Sequence, residues 1–168
     1  MYLREGCKNL FLMRHGQAVQ MDNLDDRERP LTKVGQQNVE SIGLMLKNNG
    51  IKIDLIITSP AQRALQTAEI VKKMADFNCD VVVEETLYFY SLKTIFEKIR
   101  NVDDKINNLF LVGHNPILEN AVRELSCQHT SLAIKPGNIV CLQSNIKSWH
   151  ETANSAFVFN FMKFPDVD

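Results

Sequence analysis

Short apolar runs alternate with amphipathic stretches along the whole chain, and this alternation constrains the fold more than any other feature. Asn9 to Met13 reads as a buried strand, and Ile53 to Thr58 as a second, rich in β-branched residues. Val81 to Val83, Leu109 to Gly113, Asn138 to Leu142 and Phe157 to Phe161 read as further strands. In the last, Phe157, Phe159 and Phe161 alternate onto one face. Between them lie helical patterns. Thr32 to Asn48 places Val39, Ile42 and Met45 or Leu46 at helical spacing and stops at Asn49-Gly50. Ser59 fits the N-cap of the next helix, with Pro60 in its first position and Gln62 in its third. Leu92 to Arg100 forms another, and a fourth opens at Asn115-Pro116 and runs to about Ser126. Strands alternating with helices predict a three-layer α/β/α domain with a mostly parallel central sheet. The 168 residues, 45% of them hydrophobic, suit one domain spanning 1–168 with a single core.

Charge and cysteine usage narrow the function. The chain has 19 basic and 20 acidic side chains, a net charge of −1, which argues against bulk nucleic-acid or membrane-surface binding. Any anion site must be local. Cys7, Cys79, Cys127 and Cys141 form no C-x-x-C pair, so buried or half-buried free thiols in a reducing compartment are expected. The apolar run Leu10 to Met13 ends at Arg14 and His15, far short of a signal-peptide core, and no stretch reaches the length of a membrane span. A soluble cytoplasmic protein is the expectation.

In open α/β sheets, ligands bind beyond the carboxyl ends of the strands. Three loops at such ends carry unusual chemistry: Arg14-His15-Gly16, Ser59-Pro60-Ala61-Gln62-Arg63 and Gly113-His114-Asn115-Pro116. Taken singly, each has an ordinary reading. Arg14 and His15 could be solvated at a strand end, and His114 could be hydrogen-bonded near a helix start. Arg63 could pair with Glu69 or another acid, although its charge opposes the dipole of the helix that it opens. Gly16 permits a tight turn or a close approach of backbone to ligand. Together, two arginines and two histidines arrive at one sheet edge. Arginine forks match phosphate oxygens, and histidine can act as nucleophile or proton carrier near neutral pH. No carboxylate cluster or metal-ligand spacing accompanies them, and no G-x-x-x-x-G-K-[ST] loop is present. Metal hydrolase and NTPase readings are therefore disfavoured, and no cofactor is expected.

Four ordered strings then carry a resemblance. Leu12-Met13-Arg14-His15-Gly16-Gln17-Ala18, Arg29-Pro30-Leu31-Thr32-Lys33-Val34-Gly35, Ser59 to Ala68 and Val112-Gly113-His114-Asn115-Pro116 resemble, in order and spacing, the motifs of the histidine phosphatase superfamily. The short chain and terse Arg29 to Thr32 connection are similar to its SixA-type phosphohistidine phosphatases. The resemblance implies a phosphoglycerate mutase-like fold, with His15 as the residue that becomes phosphorylated. It also implies that Arg14 and Arg63 bind phosphate, that His114 contacts the phosphoryl oxygens and that Gln17 sits in the phosphate pocket. A phosphohistidine-bearing protein, such as a histidine phosphotransfer domain, would be the partner, and phosphate or sulfate would occupy the pocket.

Larger members of the family supply a carboxylate that protonates the leaving oxygen. Here the matching region holds Glu84 and Glu85, without the glycine-containing context usual for that acid; solvated carboxylates are the simpler reading. Tyr88, Phe89 and Tyr90 could line a substrate rim or pack as core. The Ala18 to Arg29 segment is polar and reads as a loop rather than an apolar lid. Two rival functions remain: a small-molecule phosphomonoesterase of the same fold and a non-catalytic phospho-ligand binding module.

Overall fold

The structure is a computed structural model that describes residues 3–4, 6–20, 23–88, 91–127 and 132–165. Strands β1 (Lys8–Arg14), β2 (Leu55–Thr58), β3 (Asp80–Val83), β4 (Asn108–Gly113), β5 (Ile139–Ser144) and β6 (Val158–Lys163) form one sheet. Their order is β3-β2-β4-β1-β5-β6. The first four are mutually parallel; β5 runs antiparallel to β1, and β6 antiparallel to β5. Helices α1 (Lys33–Asn48), α2 (Gln62–Ala75), α3 (Leu92–Arg100) and α4 (Ile117–Leu125) join them.

Strand alternation divides the core between two faces. Leu10 and Leu12 of β1, with Leu109 and Leu111 of β4, join Ile95 and Ile99 of α3 and Leu118 and Leu125 of α4. Phe11 and Met13, with Phe110 and Val112, join Val39, Ile42 and Leu46 of α1 and Ala64, Ala68 and Val71 of α2. Because both faces are covered, the central strands read as continuous apolar runs. Each fully buried Leu, Ile or Phe contributes about 1.5–3 kcal/mol relative to exposure. The largest buried side chain, Trp149, lies on the α3–α4 face and stacks on Phe157.

Two local expectations are corrected. Phe159 and Phe161 do not share a face. Cys141 pairs with Phe161 but Leu142 with Phe159, so Asn160 is an extra residue in a bulge. The bulge reverses the alternation. Phe159 therefore packs with the Trp149 cluster, whereas Phe161 meets Phe11 on the other face. Nor does Ser59 cap α2. Ala61 holds the N-cap position without a side-chain bond, and the helix begins at Gln62. Ser59 is fully buried at the end of β2, with its hydroxyl turned toward His114. The cysteines are all free thiols; Cys7 and Cys141 are buried and Cys79 half-buried, but Cys127 is exposed. Among the described residues, no helix is long and apolar enough to cross a membrane.

Helix α1 starts where the sequence predicts, with the Thr32 hydroxyl accepting from the Gly35 amide. Its first turn lies hard against the loop after β1. A Cβ on Gly16 would come within 2.8 Å of Val39 Cγ2 and 2.9 Å of the Gly35 carbonyl oxygen, and one on Gly35 would overlap the Gln17 carbonyl. The close approach that Gly16 permits is thus to α1. Gly35→Ala should destabilise the fold by about 1–3 kcal/mol through overpacking against rigid backbone. Urea denaturation measures this; an unchanged midpoint would show that the loop can move aside freely.

Candidate active site

Strand register sets the site. Arg14 pairs with Gly113, and Thr58 on β2 pairs with Val112. The residues that follow, His15, His114 and Ser59, therefore leave the sheet at nearly one level, over its carboxyl edge. The His15 amide continues the ladder by donating to the Gly113 carbonyl at 3.0 Å. Helix α2 then carries Arg63 in from the side, in its first turn.

His15 Nδ1 lies 2.7 Å from the carbonyl oxygen of Gly16. That oxygen can only accept, so Nδ1 carries the proton and Nε2 presents a lone pair. Arg63 Nε donates toward Nε2 at 3.2 Å. Burial pushes the His15 imidazole down to about 4; the Gly16 carbonyl opposes the shift, while the Arg63, Arg14 and Arg29 charges reinforce it. The His114 ring lies edge-on to His15, with centroids 4.9 Å apart, and its Nε2 is 2.9 Å from Ser59 Oγ. Burial first, then His15 and Arg63, push His114 down to about 3. Both imidazoles are neutral at physiological pH.

Arg14 anchors one guanidinium nitrogen on the Ile134 carbonyl at 2.9 Å. Its Nε is buried with no hydrogen-bond partner, a donor left for a ligand to satisfy. Asn115 reaches the same Ile134 carbonyl, at 2.8 Å, and Glu119 at 2.6 Å. Arg63 is only 6% exposed, and it pairs with Asp26 rather than Glu69. Its Nη2 lies 2.8 Å from Asp26 Oδ2, and its Nη1 donates to the Asp26 main-chain carbonyl.

Asp26 and Arg29 are the residues that sequence reasoning missed. Asp26 opens a 3-10 turn, Asp26–Glu28, capped by the Asp25 side chain on the Arg27 amide. Arg29 Nη1 lies 2.8 Å from Asp26 Oδ1, and the Tyr88 hydroxyl donates to Oδ2 at 2.9 Å. Burial pushes the Asp26 carboxyl up, but the Arg63, Arg29 and Tyr88 hydrogen bonds outweigh it and hold the group well below the usual carboxylate range. Arg29 heads the string Arg29 to Gly35, but for Asp26 the one signal in the sequence is its i, i+3 spacing from Arg29, within an acidic run that otherwise reads as solvated.

These groups line a cleft of about 420 Å³. Arg14, His15, Arg63 and His114 meet there as the sequence expects. Asp26, Arg29, Tyr88 and Asn115 complete the lining, which gives the cleft three guanidinium groups against one carboxylate. Gln17 is outside that lining; it is exposed, with its side chain toward Thr32. Glu84 turns to Lys98 at 2.6 Å and to Thr86, and Glu85 to Arg27 at 3.0 Å. Neither lines the cleft. Phe89 and Tyr90 lie outside the described residues. Among the described residues, no group of three or more His, Cys, Asp and Glu side chains could hold a metal ion. A larger cavity, about 460 Å³ and lined by Cys7, Ser144 and Phe159 among others, brings together no comparable charge.

The chain is similar to several known proteins. An uncharacterized chloroplastic protein of Arabidopsis thaliana is 29% identical over 154 residues, which cover 86% of this chain and 70% of that protein. A SixA structure from Nakamurella multipartitia superposes with a TM-score of 0.84 at 22% identity, covering 96% of this chain and 98% of the other. The protein histidine phosphatase SixA complexed with tungstate gives 0.81 at 23% identity, covering 94% and 97%. At these identities the two structures establish a common phosphoglycerate mutase-like fold. A family model, Histidine phosphatase superfamily (branch 1), matches residues 10–88. That stretch runs from β1 to Tyr88 and supplies His15, Asp26, Arg29 and Arg63 to the cleft, so over these residues the chain is similar to the histidine phosphatase superfamily.

Proposed function

We propose that this phosphatase hydrolyses phosphohistidine on a protein, with His15 as the covalent phosphate acceptor. The observation that carries the reading is the state of His15: neutral, with Nδ1 tied to the Gly16 carbonyl and the Nε2 lone pair, which accepts from Arg63 Nε, at the wall of a basic cleft. Nε2 attacks phosphorus in line with the leaving nitrogen. The bond from phosphorus to that nitrogen breaks with its electron pair as the new bond forms. Water then attacks phospho-His15, releasing phosphate and restoring the imidazole. Arg14, Arg63 and His114 stabilise charge on the equatorial oxygens, which is where catalysis of phosphoryl transfer concentrates. The structural likeness to a SixA protein that binds tungstate, a phosphate-like oxyanion, supports an anion in this cleft.

The choice of phosphohistidine over an ester rests on the carboxylates. An alkoxide leaving group needs a proton, and general acid help is typically worth ~10²–10⁴-fold. Asp26 is the carboxylate at the cleft, and its three donors keep it ionised, a poor proton source. Glu84 and Glu85 are engaged elsewhere. An imidazole whose other nitrogen is already protonated leaves neutral and needs less help. The cytoplasmic assignment and a histidine phosphotransfer domain as partner remain part of this proposal.

His15→Ala should abolish turnover and remove an acid-labile, base-stable phosphoenzyme. Residual activity within tenfold of wild type would sink the nucleophile assignment. Catalytic efficiency should be higher on a phosphohistidine protein than on phosphoserine peptides or sugar phosphates, with little change in Glu84→Gln or Glu85→Gln. Preference for a small ester, with strong loss in either variant, would favour the phosphomonoesterase. A well-folded wild type that binds phosphate but never forms phosphoenzyme would favour the binding module.

The histidines also predict a pH dependence of stability. Unfolded imidazoles protonate near 6.5, whereas folded His15 and His114 do so at about 4 and about 3. Between these values the unfolded chain binds more protons, so their contribution is present above pH 6.5 and lost as the pH falls toward 4. Urea unfolding at pH 7 and pH 5 should show a smaller pH penalty in His15→Asn than in wild type; equal penalties would contradict the buried neutral state.

A further inference from the structure

Arg63 is held from three directions, and two of them come from a single residue. Its Nη1 donates to the main-chain carbonyl of Asp26, and its Nη2 to the Asp26 carboxylate at 2.8 Å. The third contact is Nε to His15 Nε2, at 3.2 Å. A guanidinium has five N–H donors in a rigid plane, so gripping the Nη1–Nη2 edge fixes where the Nε edge points.

The grip on Arg63 is itself braced. Arg29 holds Asp26 Oδ1 at 2.8 Å, and the Tyr88 hydroxyl holds Oδ2 at 2.9 Å. Arg27 lies over the Tyr88 ring at 4.4 Å and pairs with Glu85 at 3.0 Å, which ties the 3-10 turn to the far wall of the cleft. The charge balance of α2 calls for such a partner. Arg63 stands in the first turn of the helix, against the dipole, and that turn contains no acid of its own. The loop before α1 supplies one.

We propose that Asp26 is a positioning residue: it clamps one edge of Arg63 so that the opposite edge faces the point where phosphorus meets His15 Nε2. This rests on the reading of His15 as phosphate acceptor. A phosphoryl group entering beside His15 takes the Nε edge without displacing the carboxylate. Asp26 therefore acts on transfer through Arg63 rather than by touching the substrate. Its negative charge weakens ground-state anion binding, while its grip aligns a donor for the transition state. The two effects have opposite signs, and this separates the proposal from its rivals.

The test uses the whole protein with Asp26→Asn, together with Asp26→Ser, which keeps the main-chain contact. Three quantities are measured: inorganic phosphate affinity, the single-turnover rate of His15 phosphorylation from phosphoramidate, and the ¹⁵N NMR signal of Arg63 Nε–H. Phosphate should bind as tightly as to wild type or several-fold tighter. Phosphorylation should slow at least tenfold, and the Nε–H signal should broaden through faster exchange. Parallel loss of affinity and rate, with a lowered unfolding midpoint, would reduce Asp26 to a structural role and overturn the proposal. Faster phosphorylation would make Asp26 a competitor for the phosphate site and overturn it equally, as would an unchanged Nε–H signal. If wild type forms no phosphoenzyme from any donor, the His15 reading fails, whereas phosphate affinity and the Nε–H signal still decide whether Asp26 holds Arg63.

Discussion

The site depends on the register of β1 against its neighbours. Side chains alternate with a period of two, so a one-residue slip of β1 would exchange Leu10 and Leu12 with Phe11 and Met13 across the sheet and turn both core faces inside out. The same slip would move Arg14 and His15 away from Gly113 and His114. At the opposite end of the strands, buried polar groups reinforce the pairing. Asn9 donates to the Asn108 carboxamide at 2.7 Å, and Gln143 donates to Asn9 at 2.7 Å, linking β4, β1 and β5. Lys8 Nζ meets the Asp104 and Ile106 carbonyls at 2.5 and 2.9 Å. A shifted strand would leave these groups buried and unpaired, which costs about 1–3 kcal/mol for each. Core packing and the chemical edge of the sheet are thus specified by one set of pairings.

From that edge, α1 and α2 shape the loop that bears the histidine. The Gly16 amide donates to the buried Thr67 hydroxyl of α2, which itself donates back to the Arg63 carbonyl at 2.7 Å. The backbone after His15 and the backbone of Arg63 therefore share one hydroxyl. On the other side Leu31 donates its amide to Gln66 of α2 at 2.7 Å, and Thr32 donates its amide to the Gln17 carbonyl at 2.9 Å. The strings Arg29 to Gly35 and Ser59 to Ala68 are in this sense one structural unit with Arg14 to Ala18. Their polar and glycine positions answer one another.

The helices and most strands are legible because their signals are local and repetitive. Leu92 to Arg100 is helical over the residues that its periodicity marks, and α1 fills the span read from Thr32 to Asn48, with Thr32 itself at the N-cap. Arg14, His15, Arg63 and His114 were found because each follows a strand or opens a helix, and parallel topology brings such places together. Ser59 was misassigned because cap preference is local, whereas its hydroxyl is claimed by His114 from another strand. The bulge at Asn160 breaks a regular pattern without a glycine to mark it. Asp26 was invisible for a deeper reason. An aspartate in a polar turn looks the same whether it faces water or a buried guanidinium, and only the closing of the loop over α2 distinguishes the two.

Fixed cations and neutral imidazoles divide the work of the cleft, and each requires the other. Arginine remains charged when half-buried, so Arg14, Arg29 and Arg63 supply a positive field without depending on pH near neutrality. The same field, added to burial, denies His15 a proton and leaves Nε2 nucleophilic. A histidine alone in an apolar pocket would also be neutral but would have nothing to attract a phosphate dianion. Three arginines without a counterion would repel one another at close range. Asp26 answers that last difficulty for Arg63 and Arg29 together, since one carboxylate bridges both at 2.8 Å. Because its side chain is half exposed, it relieves the repulsion from the solvent side and leaves the His15 side of the cleft cationic. The position of one negative charge thus allows a cluster of positive ones to stand beside an unprotonated base.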